Sequence, residues 1–436
     1  MRWNKTQNHI SPDPLDKFRF VDYIKLTIFS FAMSALWNSL HSIILPIRLL
    51  DFVPEAQKNT YLDLLVLTGL IIAMIVQLTT GIVSDRSGFR LGRRRPYIVL
   101  GSLLVIIFLP GIGLYSAYFA IFITYCLLQV SSNVADGPYR ALFPDLVPEM
   151  KRGLASGVRN VMNILGGVVV VRLTAIFMDK YYEGDGASWL WFALVTILVI
   201  MIIAMIITVI TIKEKQKTSG IHLLSITDIY KSLKTGIRKR TGFILFLAGC
   251  FFVFSAWQIL IGHAMYYFMD VVGITRPAEI TSNFLLVVGV CLLLTVYPAG
   301  VMSDRIGSKP VAVSSALFGI LGVITLLIFK NNTMIMISGG ILGICGGAWM
   351  SSQWAMAIDM VGKNHEARDM GLVNISSAGA GILSRSIGPA IDYFNALSHN
   401  FGYQFMLFFC IFCLIAGAVF LIMIRTTNLP VENKIS

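Results

Sequence analysis

The chain alternates long apolar runs with short hydrophilic breaks. Runs almost free of ionisable side chains lie near residues 24–47, 62–83, 96–115, 117–142, 154–178 and 188–212, and again near 242–269, 280–302, 310–329, 333–359, 370–394 and 403–424. At about 1.5 Å per residue, each is long enough as a helix to cross a hydrocarbon layer about 30 Å thick. The pattern predicts an all-α polytopic membrane protein with twelve transmembrane helices, spans 1 to 12, in two sets of six.

The only sizeable interior hydrophilic segment separates the sets. It runs from Lys213 to Arg240 and holds eight basic residues: Lys213, Lys215, Lys217, Lys231, Lys234, Arg238, Lys239 and Arg240. We expect a six-helix bundle over 1–212, a cytoplasmic linker over 213–240 and a second six-helix bundle over 241–436. With the amino terminus inside, 27 of the 35 Lys and Arg fall on inner segments. Five fall outside (Arg48, Lys58, Lys180, Arg276, Lys330), and Arg159, Arg172 and Arg385 lie within helices. This bias places both termini in the cytoplasm of a multi-pass cell-membrane protein. The first 20 residues include Pro12, Asp13, Pro14, Asp16, Lys17 and Arg19, which is not an apolar leader, so the mature chain is expected to start at Met1.

Composition sharpens this picture. Hydrophobic residues make up 56% of the chain and charged ones 13%, against about 25% charged in a soluble domain, which excludes a soluble globular enzyme. The net charge of +12 is a topology signal, with anionic lipid headgroups as its secondary partner; no basic face with interleaved aromatics suggests nucleic acid. The six cysteines all fall in spans, and Cys410 with Cys413 has no second pair or nearby histidine to complete a metal site. No phosphate-binding G-x-x-x-x-G-K-[ST] or other catalytic constellation is present. We expect no cofactor and no metal, and a monomer whose partners are the bilayer, a small-molecule substrate and a proton or other coupling ion.

An internal repeat locates a cavity. Gly81, Ser84-Asp85-Arg86 and Gly88 after span 2 return as Gly300, Ser303-Asp304-Arg305 and Gly307 after span 8, both reading G-x-x-S-D-R-x-G. Trp37-Asn38 returns as Trp257-Gln258, Ser131-Ser132-Asn133 as Ser351-Ser352-Gln353, and Gly153-Leu154 as Gly371-Leu372. Four matches at nearly one offset indicate two pseudo-symmetric six-helix bundles, and such repeats enclose a solute site near the bilayer midplane. Gln129, Asn133, Asp136 and Arg140 form one stripe of span 4, and Ser34, Asn38 and His41 form another on span 1. Polar groups facing lipid would cost several kcal/mol each, so spans 1, 4, 7 and 10 are expected to line the cavity.

These features resemble the major facilitator superfamily of secondary transporters. The run Ser84-Asp85-Arg86, Arg90 and Gly92-Arg93-Arg94-Arg95-Pro96-Tyr97-Ile98, with Gly137-Pro138, Arg140-Ala141-Leu142 and Asp145-Leu146, resembles more narrowly the sucrose and glycoside transporters. The resemblance implies alternating access and a gate made of Asp85, Arg86, Arg90, Arg140, Asp145, Asp304 and Arg305. It also implies a proton-coupling acid in span 4, but that position here is Gln129, which leaves Asp136 as the replacement candidate. The drug/proton antiporter motif G-P-x-x-G-G is absent from span 5, where only Gly166-Gly167 remains.

The candidate substrate ligands are Trp37, Asn38, His41, Gln129, Asn133, Trp257, Gln258, Gln353 and Arg385. Aromatic faces stack on sugar rings, amides and arginine bind hydroxyls, and ordinary packing is the competing account of each Trp. Trp349 and Trp354 are weaker candidates of the same kind. Asp136 and Arg140 are four residues apart on one face, which suits either an internal ion pair or a carboxylate that loads and releases a proton. Arg159 is expected to pair with Asp145 or Asp136. Arg172 reaches toward the outer interface and Asp179, and Arg385 shares a face with Asp392. Gly137-Pro138 is expected to bend span 4. His41 and His263 are candidate proton carriers, with a hydrogen-bonded structural role as the alternative. The sequence reads as a carrier of a sugar or glycoside with a proton; an exporter of lipophilic compounds and a non-transporting scaffold are the other readings.

Overall fold

The structure, a computed structural model, describes residues 19–87, 92–212, 241–360 and 366–424. Eleven apolar helices long enough to span a membrane are Phe20–Leu49, Lys58–Arg86, Arg95–Leu114, Tyr118–Leu146, Arg152–Tyr182, Ser188–Thr211, Thr241–Val272, Pro277–Ile306, Ser308–Ile328, Asn332–Met360 and Phe401–Ile422. These are spans 1 to 10 and span 12. Span 11, expected as one run, is two helices, Glu366–Ser384 and Gly388–Leu397. The break falls where Pro389 follows Gly388, because proline supplies no amide to a continuing helix and suits the first turn of a new one. The expected linker 213–240 lies outside the described residues.

Within each half the spans pack in the same pattern. Span 4 packs on spans 2 and 3, span 1 on spans 5 and 6, span 10 on spans 8 and 9, and span 7 on spans 11 and 12. The halves meet through two equivalent crossings, span 5 on span 8 and span 2 on span 11, with span 1 touching span 7 beside them. At the crossing of spans 2 and 11 the approach is close because a glycine is there. A Cβ at Gly388 would stand 2.5 Å from the Asn59 carbonyl oxygen and 2.7 Å from Asp63 Oδ2.

Span 4 is helical from Tyr118 through Leu146 although it contains Pro138 and Pro144. Gly137-Pro138, where a bend is expected, thus lies inside an unbroken helix. Proline there removes one helical hydrogen bond without ending the run, as neighbouring helices in a membrane bundle allow. Short π-helical turns occur at Leu40–Ile44 in span 1 and Gly166–Val170 in span 5. A Cβ at Gly166 would collide with the Phe31 carbonyl, so these two spans touch backbone to backbone.

Candidate functional site

Two cavities adjoin inside the bundle. The larger, about 750 Å³, is lined by Arg140 and Arg159 from the first half and by Trp257, Trp349, Gln353 and Trp354 from the second. The smaller, about 380 Å³, is lined by Trp37, His41, Gln77, Gln129, Asn133 and Asp136. Arg140 and Arg159 belong to both walls and join them. The volume suits a solute of one or two rings.

Helical spacing orders the polar wall. Gln129 Nε2 donates to Tyr125 Oη at 2.7 Å, and His41 Nε2 lies 2.8 Å from that same oxygen. Asn133 Nδ2 donates to the Gln129 carbonyl at 2.8 Å. One turn on, Asp136 Oδ2 accepts from Arg140 Nε at 2.6 Å and from Gln77 Nε2 at 3.2 Å. The Trp37 ring lies against His41 and Tyr125, with centroids 5.1 and 5.9 Å apart.

The opposite wall is less well satisfied. Trp349 is 5% exposed and its Nε1 has no hydrogen-bond partner among the described residues. Arg159 Nε is also without one. Its guanidinium sits 4.9 Å over the Phe143 ring. Arg159 was expected to pair with Asp145 or Asp136, yet among the described residues it forms no ion pair. Asp145 is taken by Arg93 and Arg94, at 2.9 and 2.8 Å, and Asp136 by Arg140.

Of the nine expected substrate ligands, Trp37, His41, Gln129, Asn133, Trp257 and Gln353 line these cavities. Asn38 does not; it donates to the Ser34 carbonyl at 2.9 Å, facing Gly167. Gln258 does not; it donates to the Ser377 carbonyl at 3.3 Å. Arg385 does not line them either; it enters an ion pair between the halves. Its Nη1 lies 3.2 Å from Asp63 Oδ1, and the side chain of Asp63 is 1% exposed.

That ion pair belongs to a larger lock. Asp63 Oδ2 also accepts from the Gly388 backbone N–H at 2.8 Å and lies 3.1 Å from His263 Nε2. Asp392, on span 11, accepts from the Thr60 N–H at 2.7 Å, Thr60 Oγ1 at 2.6 Å and Asn59 Nδ2 at 2.8 Å, at the start of span 2. The second crossing repeats the device. Asp179, on span 5, accepts from the N–H groups of Ala278 and Glu279 at 2.9 and 2.7 Å, at the start of span 8. Arg172 pairs with Glu279 at 3.0 Å and donates to Ser282 at 3.2 Å. A carboxylate at the first turn of a helix satisfies free amides and meets the positive end of the helix dipole. Lys58 with Asp270 at 2.6 Å and Arg276 with Glu183 at 2.8 Å complete the set. Among the described residues, every hydrogen bond between the halves lies toward the face opposite the termini.

Among the described residues, the expected gate residues Arg140, Asp145, Asp304 and Arg305 form no hydrogen bond between the halves. Asp85 and Arg86 close span 2, but their side chains, like Arg90, lie outside the description. Asp145 holds Arg93 and Arg94 within its own half. Asp304 and Arg305 are exposed at the end of span 8, and Arg140 lines the cavity.

Sequence reasoning missed Asp63, Gln77, Tyr125 and Glu279. A signal for the lock was present: Arg172 with Asp179 and Arg385 with Asp392 repeat one Arg-x6-Asp spacing in spans 5 and 11.

The sequence matches the profile described as MFS/sugar transport protein over residues 35–368. The chain belongs to this family. Sucrose transport protein SUT3 of Oryza sativa subsp. indica is 33% identical over 102 residues, which is 18% of this chain and 20% of that protein. Sucrose transport protein SUT1 of Oryza sativa subsp. japonica is 31% identical over 114 residues, 21% of each. The matches thus span about a fifth of the length of these curated relatives. Among solved structures, the nucleoside transporter NupG superposes with a TM-score of 0.70 at 13% identity, over 92% of this chain and 99% of that one. A D-xylose-proton symporter gives 0.69 at 16% identity, over 92% and 97%. Those likenesses concern the fold, which is the twelve-helix fold of MFS transporters. The chain is thus a multi-pass member of the MFS/sugar transport protein family, with the fold of MFS transporters.

Proposed function

We propose that this MFS protein moves a sugar or glycoside together with a proton, by alternating access between its two halves. The observation that carries the reading is the cavity between the halves, closed on one side by the paired crossings of span 5 with span 8 and span 2 with span 11. With both termini and the 213–240 linker in the cytoplasm, the locked face is the outer one and the arrangement is inward-facing. The solute lies against Trp37, His41, Gln129 and Asn133 on one side and Trp257, Trp349 and Gln353 on the other, with Arg140 and Arg159 between. The mixture of stacking rings with amide and guanidinium donors suits a ring bearing many hydroxyls. Asp136, buried against the cavity between Arg140 and Gln77, is the proton carrier, and the protein works as a monomer in the cell membrane.

The sucrose transport relatives and the D-xylose-proton symporter named above support the class of solute. Purified protein in liposomes, preloaded with unlabelled sugar or glycoside, is expected to show counterflow of labelled disaccharide. Dye efflux without sugar counterflow favours a lipophile exporter, and silence toward both sinks the carrier reading.

A further inference from the structure

The lock at the opposite face contains a proton whose presence follows from hydrogen-bond chemistry. His263 is fully buried between two partners. Its Nδ1 lies 3.1 Å from the Ile259 carbonyl oxygen, and its Nε2 lies 3.1 Å from Asp63 Oδ2. A carbonyl only accepts, so Nδ1 carries a hydrogen. If Asp63 is ionised, its oxygen also only accepts, so Nε2 carries a second hydrogen and the ring is an imidazolium. If the ring is neutral, Nε2 is an acceptor and Asp63 supplies the hydrogen as a carboxylic acid. Either way the pair holds one proton more than an ionised carboxylate beside a neutral imidazole. Without that proton, two lone pairs would face each other in a dry contact.

Asp63 belongs to span 2 in the first half and His263 to span 7 in the second, so opening this face separates them. We propose that Asp63 and His263 form a proton-binding site of the transport cycle: the face closes by taking up one proton between the halves and opens by losing it. This rests on the alternating-access reading above.

The charged groups around this pair have partners of their own. From span 11, Arg385 contacts the other oxygen of Asp63, and Asp392 is held by Asn59 and Thr60. From span 7, Asp270 is held by Lys58 of span 2 and by Tyr403 of span 12, and Tyr266 donates to the Pro46 carbonyl. On the cavity side, His41 of span 1 shares its hydrogen bond with Tyr125 of span 4, and both sit within the electrostatic reach of Arg385.

The test is conformational, so its outcome is separate from that of the uptake assay. Spin labels at Asp185→Cys and Ser398→Cys, on exposed loops of the two halves, report the width of this face in a background whose six native cysteines are alanine. Between pH 5 and 9 the ratio of closed to open protein is expected to fall as pH rises, by up to about tenfold per unit for a single linked proton. Asp63→Asn removes the carboxylate that shares the proton, together with the acceptor of the Gly388 N–H and the partner of Arg385. In His263→Gln the amide donates to the ionised Asp63. Both are expected to lose the pH response, while His41→Gln keeps it. A wild-type protein with a pH-independent distance, or an unchanged response in either variant that folds, overturns the proposal. Failed sugar counterflow with an intact pH response would instead sink the carrier reading alone.

Discussion

Asp179 and Asp392 perform one task on two sides of the molecule. Each stands seven residues beyond an arginine, each leaves its own half, and each accepts amide hydrogens at the first turn of a helix in the other. Asp179 binds span 5 to span 8, and Asp392 binds span 11 to span 2. The duplication that built the bundle also duplicated its closure, so the two crossings can release together.

Removing either carboxylate should therefore loosen the same face. Asp392 accepts three hydrogen bonds and Asp179 two, so Asp392→Asn is expected to be the more severe change. Hydrogen bonds to charged groups contribute about 1.5–3 kcal/mol, enough to shift the closed-to-open ratio by roughly tenfold or more. The rate of labelling of a single cysteine placed in the lock, by an impermeant maleimide, checks this. Equal labelling of Asp392→Asn and wild type would contradict it.

Gly388 sets how near span 11 comes to span 2. Gly388→Ala places a methyl group 2.5 Å from a backbone carbonyl and 2.7 Å from Asp63. Neither neighbour can give way, since one is helix backbone and the other is held by His263 and Arg385. Overpacking of this kind costs about 1–3 kcal/mol, and here it bears on the closed arrangement alone. The expected result is a protein with a near-normal Tm that labels faster at this face. A Tm loss with unchanged labelling would mean that the glycine serves folding and not closure.

The sequence made the fold legible because apolar runs of membrane-spanning length have few alternative structures. It also revealed the repeat, and hence the cavity and the polar stripe of span 4. It did not reveal the partner of Arg385, because an arginine and an acid seven residues apart on one face look like a local set. Both in fact turn to partners on another chain segment, and such long-range pairings are not encoded in spacing. Asp63 was invisible for a related reason. A single carboxylate near the end of an apolar run reads as an interfacial residue until His263, Arg385 and Gly388 are seen to converge on it. The break in span 11 was signalled by Gly388-Pro389, but the apolar residues on both sides masked it.

Arg159 and Trp349 line the cavity from opposite halves, and each holds a buried donor without a partner among the described residues. A solute that accepts from both bridges the halves. Trp349→Phe keeps the ring and removes the N–H, and Arg159→Met keeps most of the volume and removes the charge. Each is expected to weaken solute binding by about tenfold, the effect of one lost hydrogen bond of roughly 1.5 kcal/mol. Isothermal titration with the best-transported sugar reads the Kd. Affinity unchanged in both variants would remove these residues from the site.

Asp136 separates coupling from binding. Its carboxylate accepts from Arg140 at 2.6 Å and from Gln77 at 3.2 Å, so Asp136→Asn keeps the shape of the site and deletes its capacity to exchange a proton. Solute movement down its own gradient needs only the rocking of the halves, whereas accumulation driven by a pH gradient needs a group that is protonated on one side and deprotonated on the other. The variant is expected to sustain counterflow within a few-fold of wild type and to lose pH-driven accumulation. Arg140→Gln should damage both activities, because it strips Asp136 of its partner and the cavity of a donor. If Asp136→Asn still concentrates solute against its gradient at the wild-type level, the proton is carried elsewhere, and the Asp63–His263 pair becomes the first place to look.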